Sequence, residues 1–142
     1  MLAYSEIGAR LLTNSDNGYN VVVGGELFSG YADHPRKLVK LPKLGISSTA
    51  AGRYQLLMRY WDAYRKRLKL SDFSPSSQDA VALQQIKECG ALPDIDAGRF
   101  DVAVKKCARI WASLPGAGYG QHENDMNKLR FAYVGAGGKL EA

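Results

Sequence analysis

Apolar side chains crowd the first nine residues, where Met1, Leu2, Ala3, Tyr4, Ile7 and Ala9 surround a single carboxylate, Glu6. That density predicts a helical turn or more with an acid set in an apolar wall. Turn-forming residues follow in Thr13-Asn-Ser-Asp-Asn-Gly. The β-branched run Val21-Val22-Val23 then reads as a short strand entering a turn at Gly24-Gly25. Residues 36–52 mix Pro, Gly, small residues and lysines, and predict a loop long enough to serve as a functional lid. Thereafter the spacing is helical. Tyr54, Leu57, Met58, Trp61, Tyr64 and Leu68 recur at three and four residues and predict one long helix with Tyr54 and Gln55 in its first turn. Ser74-Pro75 supplies an N-cap and a first helical position for a second helix, stopped by Gly90. Phe100, Ala103, Val104, Cys107, Ile110, Trp111 and Leu114 predict a third helix ending at Pro115-Gly116, and Met126, Leu129 and Tyr133 a last short one. The sum is an α+β domain with a mainly helical lobe, a small β lobe and a substrate cleft between them.

A length of 142 residues and an apolar fraction of 46% suit a single domain, 1–142, with a sizeable core. The net charge of +5 favours encounter with polyanions, whether nucleic acid, anionic lipid or a cell-wall polymer, and does not choose among them. No apolar run is long enough to span a bilayer and no basic-then-apolar leader opens the chain, so cytoplasmic synthesis without stable membrane insertion is expected. Cys89 and Cys107 are far apart in sequence, and His34 and His122 are the only imidazoles, so neither a metal centre nor a thiol nucleophile is expected, and no cofactor. Cys107 falls on an apolar helical face as a small buried thiol.

Glu6 carries the chemistry. An apolar wall disfavours a charged carboxyl, so such a group can hold a proton near neutral pH and give it to a glycosidic oxygen; the plain alternative is a solvated surface carboxylate. Two loops suit a sugar, which is held by amide and hydroxyl hydrogen bonds with aromatic rings against its apolar faces. One runs from Ser48 and Thr49 to Tyr54 and Gln55; the other, rich in glycine and expected to be exposed and mobile, carries Tyr119 and Gln121. Tyr54 could equally be a core aromatic. Glu26 and Asp33 are candidate second carboxylates, each also explicable by turn preference.

Longer motifs remove the generality. Gly18-Tyr-Asn-Val-Val-Val-Gly-Gly-Glu-Leu-Phe, Asp33-His-Pro-Arg-Lys-Leu-Val, Ala51-Gly-Arg-Tyr-Gln-Leu-Leu, Trp61-Asp-Ala-Tyr-Arg-Lys, Ser77-Gln-Asp-Ala-Val-Ala-Leu and Ile110-Trp-Ala-Ser-Leu-Pro-Gly-Ala-Gly-Tyr-Gly-Gln closely resemble the endolysin family of phage lambda, in the same order over nearly the whole chain. The resemblance implies a lysozyme-like fold and a lytic transglycosylase that cuts the N-acetylmuramic acid to N-acetylglucosamine bond of peptidoglycan, leaving 1,6-anhydro-muramyl ends. The family's catalytic Glu lies in a Met-Leu-Ala-aromatic-Ser-Glu motif that matches residues 1–6, which implies the role for Glu6. Tyr54, Gln55, Tyr119 and Gln121 fall in motifs bordering the family's cleft. Residues 39–49 and 113–125 resemble its two mobile lips. After Glu6 this chain departs, reading Ile-Gly-Ala-Arg-Leu-Leu, so the path toward the β region is expected to differ. The resemblance further implies a monomer acting on glycan strands at the wall, reached through a separate holin at lysis. A hydrolytic muramidase of the same fold and a non-catalytic glycan-binding module are the alternatives. A nucleic-acid binder would explain only the charge, because the basic residues are spread along helices and no nucleic-acid motif is present.

Overall fold

Gly8, at φ +86°, splits the first apolar stretch into two short helices, α1 (Leu2–Ile7) and α2 (Ala9–Thr13). The computed structural model describes residues 1–118 and 122–141. The chain divides into two compact units, one of Met1–Ser5 with Leu83–Ala142, the other of Glu6–Ala82, and the divisions fall inside α1 and inside the helix α4 (Pro75–Glu88).

Within the unit Glu6–Ala82, the valine run makes isolated bridges rather than a strand, with Val21 against Leu27 and Val22 against Ala51. Gly24 and Gly25, at φ +91° and +100°, turn the chain before pairing can extend. The sheet lies instead in the stretch whose composition suggested a loop. β1 (Val39–Leu41) and β2 (Ile46–Ser48) pair antiparallel, with Val39 opposite Ser48 and Leu41 opposite Ile46, joined by a 3-10 turn at Pro42–Leu44 that closes on Gly45 at φ +64°. Three-residue strands interrupted by Pro and Gly leave too little alternation to be read from sequence.

Helix α3 (Met58–Leu68) starts later than the periodicity predicts, so Tyr54 and Gln55 are not in its first turn. Gly52 at φ +84° and Gln55 at φ +51° make a left-handed turn instead, closed by the Ala51–Leu56 bridge. The first helical N–H is satisfied from a distance in sequence: Met58 N donates to Thr49 Oγ1 at 3.0 Å. The core of this unit packs Leu56, Trp61, Phe73 and Val81, with Trp61 and Phe73 edge to face at 5.0 Å between centroids. Ser74 caps α4 as its sequence predicts, its Oγ accepting from Ser77 N.

In the other unit, Gly90 at φ +71° ends α4, with Ala91 N reaching back to Ile86 O. Helices α5 (Leu92–Asp96), α6 (Phe100–Cys107) and α7 (Met126–Gly135) follow. Buried Asp94 joins α5 to α6, accepting from Arg99 Nε at 2.9 Å and Lys106 Nζ at 2.6 Å. Helix α6 stops at Cys107, short of the predicted Leu114. Successive turns still return Trp111 N to Cys107 O and Leu114 N to Trp111 O, so Trp111 and Leu114 remain buried where a longer helix would have put them. Cys107 is buried, its thiol pushed up to about 12 by burial and by the neighbouring Cys89 thiol, and both cysteines are free. No helix among the described residues is long and apolar enough to cross a membrane.

Candidate active site

Glu6 is the last residue but one of α1 and is half-buried. Its helix packs onto a turn: a Cβ on Gly18, whose φ is +86°, would lie 2.8 Å from Leu12 Cδ2 and 2.9 Å from Ile7 Cδ1. The apolar ends of Ile7 and Leu12 therefore cover the turn at residue 18, whose left-handed backbone favours glycine.

The other two candidate carboxylates are held by cations. Asp33 accepts from Arg36 Nε at 2.6 Å, Trp61 Nε1 at 2.9 Å and Arg65 Nη1 at 3.4 Å, while Arg36 also reaches Asp62 at 2.5 Å. The Arg36 guanidinium, followed by the indole N–H, holds the Asp33 carboxyl down to about 2 despite partial burial. Glu26 pairs with Lys37, which lowers it too, on a fully exposed surface. Neither can hold a proton at neutral pH. Next to Asp33, His34 is buried with both ring nitrogens used: Nε2 lies 2.9 Å from Leu56 O, and Nδ1 accepts from Arg36 N at 2.9 Å. Those partners require Nε2–H and a bare Nδ1, the neutral tautomer, and burial lowers the imidazole's pKa accordingly.

The loop from Ser48 to Gln55 is a structured turn whose polar groups face its own backbone. Ser48 Oγ accepts from Ala50 N at 3.2 Å, and Gln55 Nε2 donates to Gly52 O at 2.9 Å and Val21 O at 3.2 Å. Tyr54 and Tyr19 both donate to the Asp79 carboxylate, at 2.7 and 3.0 Å, and burial followed by that carboxylate raises the Tyr54 phenol. Ser48, Thr49 and Gln55 thus hold the turn in shape, and Tyr54 presents a half-buried ring with its hydroxyl given to Asp79. The centre of this arrangement is Gln78, which is buried. Its Oε1 accepts from Arg53 N at 2.9 Å, and its Nε2 donates to Phe73 O at 3.0 Å and Tyr19 O at 3.1 Å. Sequence reasoning missed Gln78 and Asp79 as organising residues, because a Gln-Asp pair after Pro-Ser-Ser at the start of α4 carries no signal that sets it apart from a solvated one.

A second polar cluster surrounds Ser5, the residue before Glu6. Ser5 Oγ lies 2.8 Å from Ser113 Oγ, and the Asn124 amide donates to Ser5 O at 3.0 Å, Ser5 Oγ at 3.1 Å and Ser113 O at 3.2 Å. Asn124 N also donates to Ser113 O at 2.8 Å, closing residues 113–124 at their base. Inside that loop the Glu123 carboxylate accepts from Gly116 N at 2.9 Å and Gly118 N at 3.0 Å, which lowers its pKa. Gly116 and Gly118 sit at φ +86° and +74°. Tyr119 and Gln121 lie outside the described residues. Ser5, Ser113, Glu123 and Asn124 carry no pattern that singles them out in sequence, because their partners are more than a hundred residues away or across a glycine-rich turn. Among the described residues, no group of three or more His, Cys, Asp or Glu side chains is placed to hold a metal ion.

The chain matches the Endolysin family over residues 1–140. It is 62% identical to the endolysin of Escherichia phage lambda over 143 residues, covering 99% of this chain and 89% of that protein. It is 49% identical to the endolysin of Escherichia phage P2 over 147 residues, covering 97% and 89%. Its structure is similar to that of bacteriophage lambda lysozyme complexed with a chitohexasaccharide, with a TM-score of 0.92 and 59% identity over 99% of this chain and 91% of the other. A second lysozyme structure from bacteriophage lambda superposes with a TM-score of 0.87. The mainly helical architecture with one small sheet is therefore an α+β, lysozyme-like fold.

Proposed function

Because the chain belongs to the endolysin family, we propose that it is a peptidoglycan lytic transglycosylase in which Glu6 serves as both acid and base. The observation that carries this reading is the position of Glu6, half-buried in the last turn of the apolar helix α1. The two candidate second carboxylates, Asp33 and Glu26, are each held charged by a neighbouring cation. Hydrolysis by the usual glycosidase route uses two carboxylates flanking the bond, one as acid and one as nucleophile or as base for water. A single carboxylic acid suffices where the substrate supplies its own nucleophile.

In the first step Glu6 gives its proton to the glycosidic oxygen, and the bond from the muramic anomeric carbon to that oxygen breaks, releasing a free 4-hydroxyl. The muramic N-acetyl oxygen stabilises the carbon left behind. The muramic 6-hydroxyl then attacks the anomeric carbon, and its proton returns to Glu6. Atoms balance without water, the product is a 1,6-anhydro end, and the enzyme regains its starting protonation state. An intramolecular hydroxyl has a large entropic advantage over a diffusing water. Binding of a chitohexasaccharide by the lambda relative supports a β-1,4 glycan of N-acetylated sugars as the ligand class. The hairpin at residues 39–48 and the loop at 113–125 are the proposed lips, with Tyr119 and Gln121 as sugar contacts. The remaining turn, Ser48 to Gln55, acts through its shape. The protein works as a monomer, without cofactor, after a separate holin gives it access to the wall.

Glu6→Gln is the test. General acid–base catalysis supplies roughly 10²–10⁴-fold in rate, and more is at stake when one residue serves both steps. Clearing of permeabilised cells should vanish while sedimentation with isolated sacculi and the melting temperature persist. Near wild-type clearing by the folded variant would remove Glu6 from the mechanism. Binding without clearing by the wild-type chain would favour the glycan-binding module instead.

A further inference from the structure

Between His34 and Trp61 the chain carries six cations and no Asp or Glu. Four of the cations are used within the fold. Arg36 pairs with Asp33 and Asp62, Lys37 with Glu26, Arg53 donates to Asn17 O, and Arg59 stacks over Tyr60. Lys40 and Lys43 remain, both exposed and without an ion pair among the described residues. They stand on the hairpin beside Leu38, Leu44 and Ile46, which are 66%, 45% and 47% exposed. The run Pro42 to Ser47 is exposed at every residue. Charge and aliphatic surface are thus offered together, on a backbone fixed by the ladder between β1 and β2.

A partner that fits this surface is anionic and aliphatic in alternation. We infer that the hairpin is a docking surface for the carboxylate-bearing stem peptides of the wall polymer, with Lys40 and Lys43 pairing with stem carboxylates and Leu38, Leu44 and Ile46 covering their aliphatic parts. This rests on the reading of the chain as a peptidoglycan enzyme and adds that its substrate is the peptide-bearing strand rather than bare glycan. An anionic membrane is the less fitting partner, because interfacial segments anchor through Trp, Tyr or Phe and residues 32–53 contain none. Nucleic acid is disfavoured for the same reason, since unpaired bases stack on aromatic rings.

The test measures binding of the full chain, carrying Glu6→Gln to prevent turnover, to soluble glycan strands that keep their stems after endopeptidase release from sacculi, to the same strands freed of stems by an amidase, and to phosphatidylglycerol vesicles. Stem-bearing strands should bind more tightly than stripped ones, and the preference should shrink with added salt. Lys40→Glu with Lys43→Glu should weaken binding to stem-bearing strands roughly tenfold and to stripped strands far less. Lys40→Arg with Lys43→Arg should retain the preference, and an unchanged melting temperature should show that the charge reversal leaves the fold intact. Equal binding of the parent chain to both kinds of strand, or an equal loss on both in the charge-reversal variant, would overturn the inference. So would vesicle binding that the same variant abolishes while its strand preference persists. A stem preference in a protein whose wild-type form cleaves nothing would refute the transglycosylase reading and leave the docking surface standing.

Discussion

Two loops that the sequence marks alike as ligand-facing are held by different chemistry. Residues 48–56 are fixed by a buried neutral amide, Gln78, whose three hydrogen bonds reach Arg53, Tyr19 and Phe73, and by His34 on Leu56 O. Residues 113–118 and 122–125 are fixed by exposed or half-buried groups: the Glu123 carboxylate on two glycine N–H groups, and Asn124 on Ser5 and Ser113. A buried amide left without partners, or partners left without it, loses the full desolvation cost of each group, whereas exposed groups fall back on water. The first loop is accordingly built to stay in one shape, and the second to be released at small cost.

The largest effect should come from breaking the first loop. Gln78→Ala leaves Arg53 N and two carbonyls without their partner and opens space beside Gly52, and should cost about 3 kcal/mol of stability, read by denaturant unfolding. A loss under 1 kcal/mol would mean that the turn is held by its backbone alone. Asn124→Ala should cost less, about 1–2 kcal/mol. Its mark should fall on activity, because Ser5 directly precedes Glu6 in α1: a kcat drop of about tenfold is expected from a misplaced acid, with KM less affected. Gly116→Ala and Gly118→Ala have open space for a methyl group, so only the left-handed backbone opposes them, at about 1 kcal/mol each. Hydrogen exchange of the loop with and without a chitin oligomer adds the dynamic side. Exchange that is rapid alone and slows on binding supports a closing lip, whereas equal protection refutes it.

The two loops should also part company on acidification. The His34 pKa is lowered by folding, so the neutral ring's contribution is complete above the unfolded value near 6.5 and fades as pH falls below it. The Glu123 pKa is lowered as well, and its contribution is present above the ordinary carboxyl range near 4.3 and fades below that. Amide NMR shifts followed on acidification should therefore hold steady around Leu56 and Arg36 through about pH 6.5, and around Gly116 and Gly118 through about pH 4.3, the midpoints of the free groups. A titration around Leu56 centred at or above about pH 6.5 would contradict the assigned tautomer of His34.

How much of this was visible in the sequence follows from the range of the interactions. Local signals held: the Ser74-Pro75 start and the Gly90 stop of α4, the apolar helix around Glu6, and the stripe that buries Trp61, Trp111 and Leu129. Long motifs identified the family, because they record side-chain choices over the whole chain. Two boundaries shifted where tertiary bonds override periodicity. α3 starts at Met58 because Gly52 and Gln55 adopt left-handed conformations that Gln78 locks, and α6 ends at Cys107 although its inward spacing continues. The hairpin was hidden by strands too short to alternate. The polar clusters around Gln78 and Asn124 were not legible, since nothing local distinguishes a glutamine or asparagine that closes a distant loop from one facing water. Gln55, Ser48 and Thr49 offer the donors and acceptors a sugar needs, and the sequence does not show that the same groups also serve their own backbone.

The central claim is that one half-buried carboxylic acid, without help from Asp33 or Glu26, performs both proton transfers and so excludes water from the product. Digestion of purified peptidoglycan in ¹⁸O-water, followed by mass spectrometry of the muropeptides, reads this directly. Unlabelled 1,6-anhydro-muramyl ends are predicted. Reducing muramic ends carrying ¹⁸O would contradict the account, make the protein a hydrolase, and require a water-activating carboxylate that the ion pairs of Asp33 and Glu26 argue against.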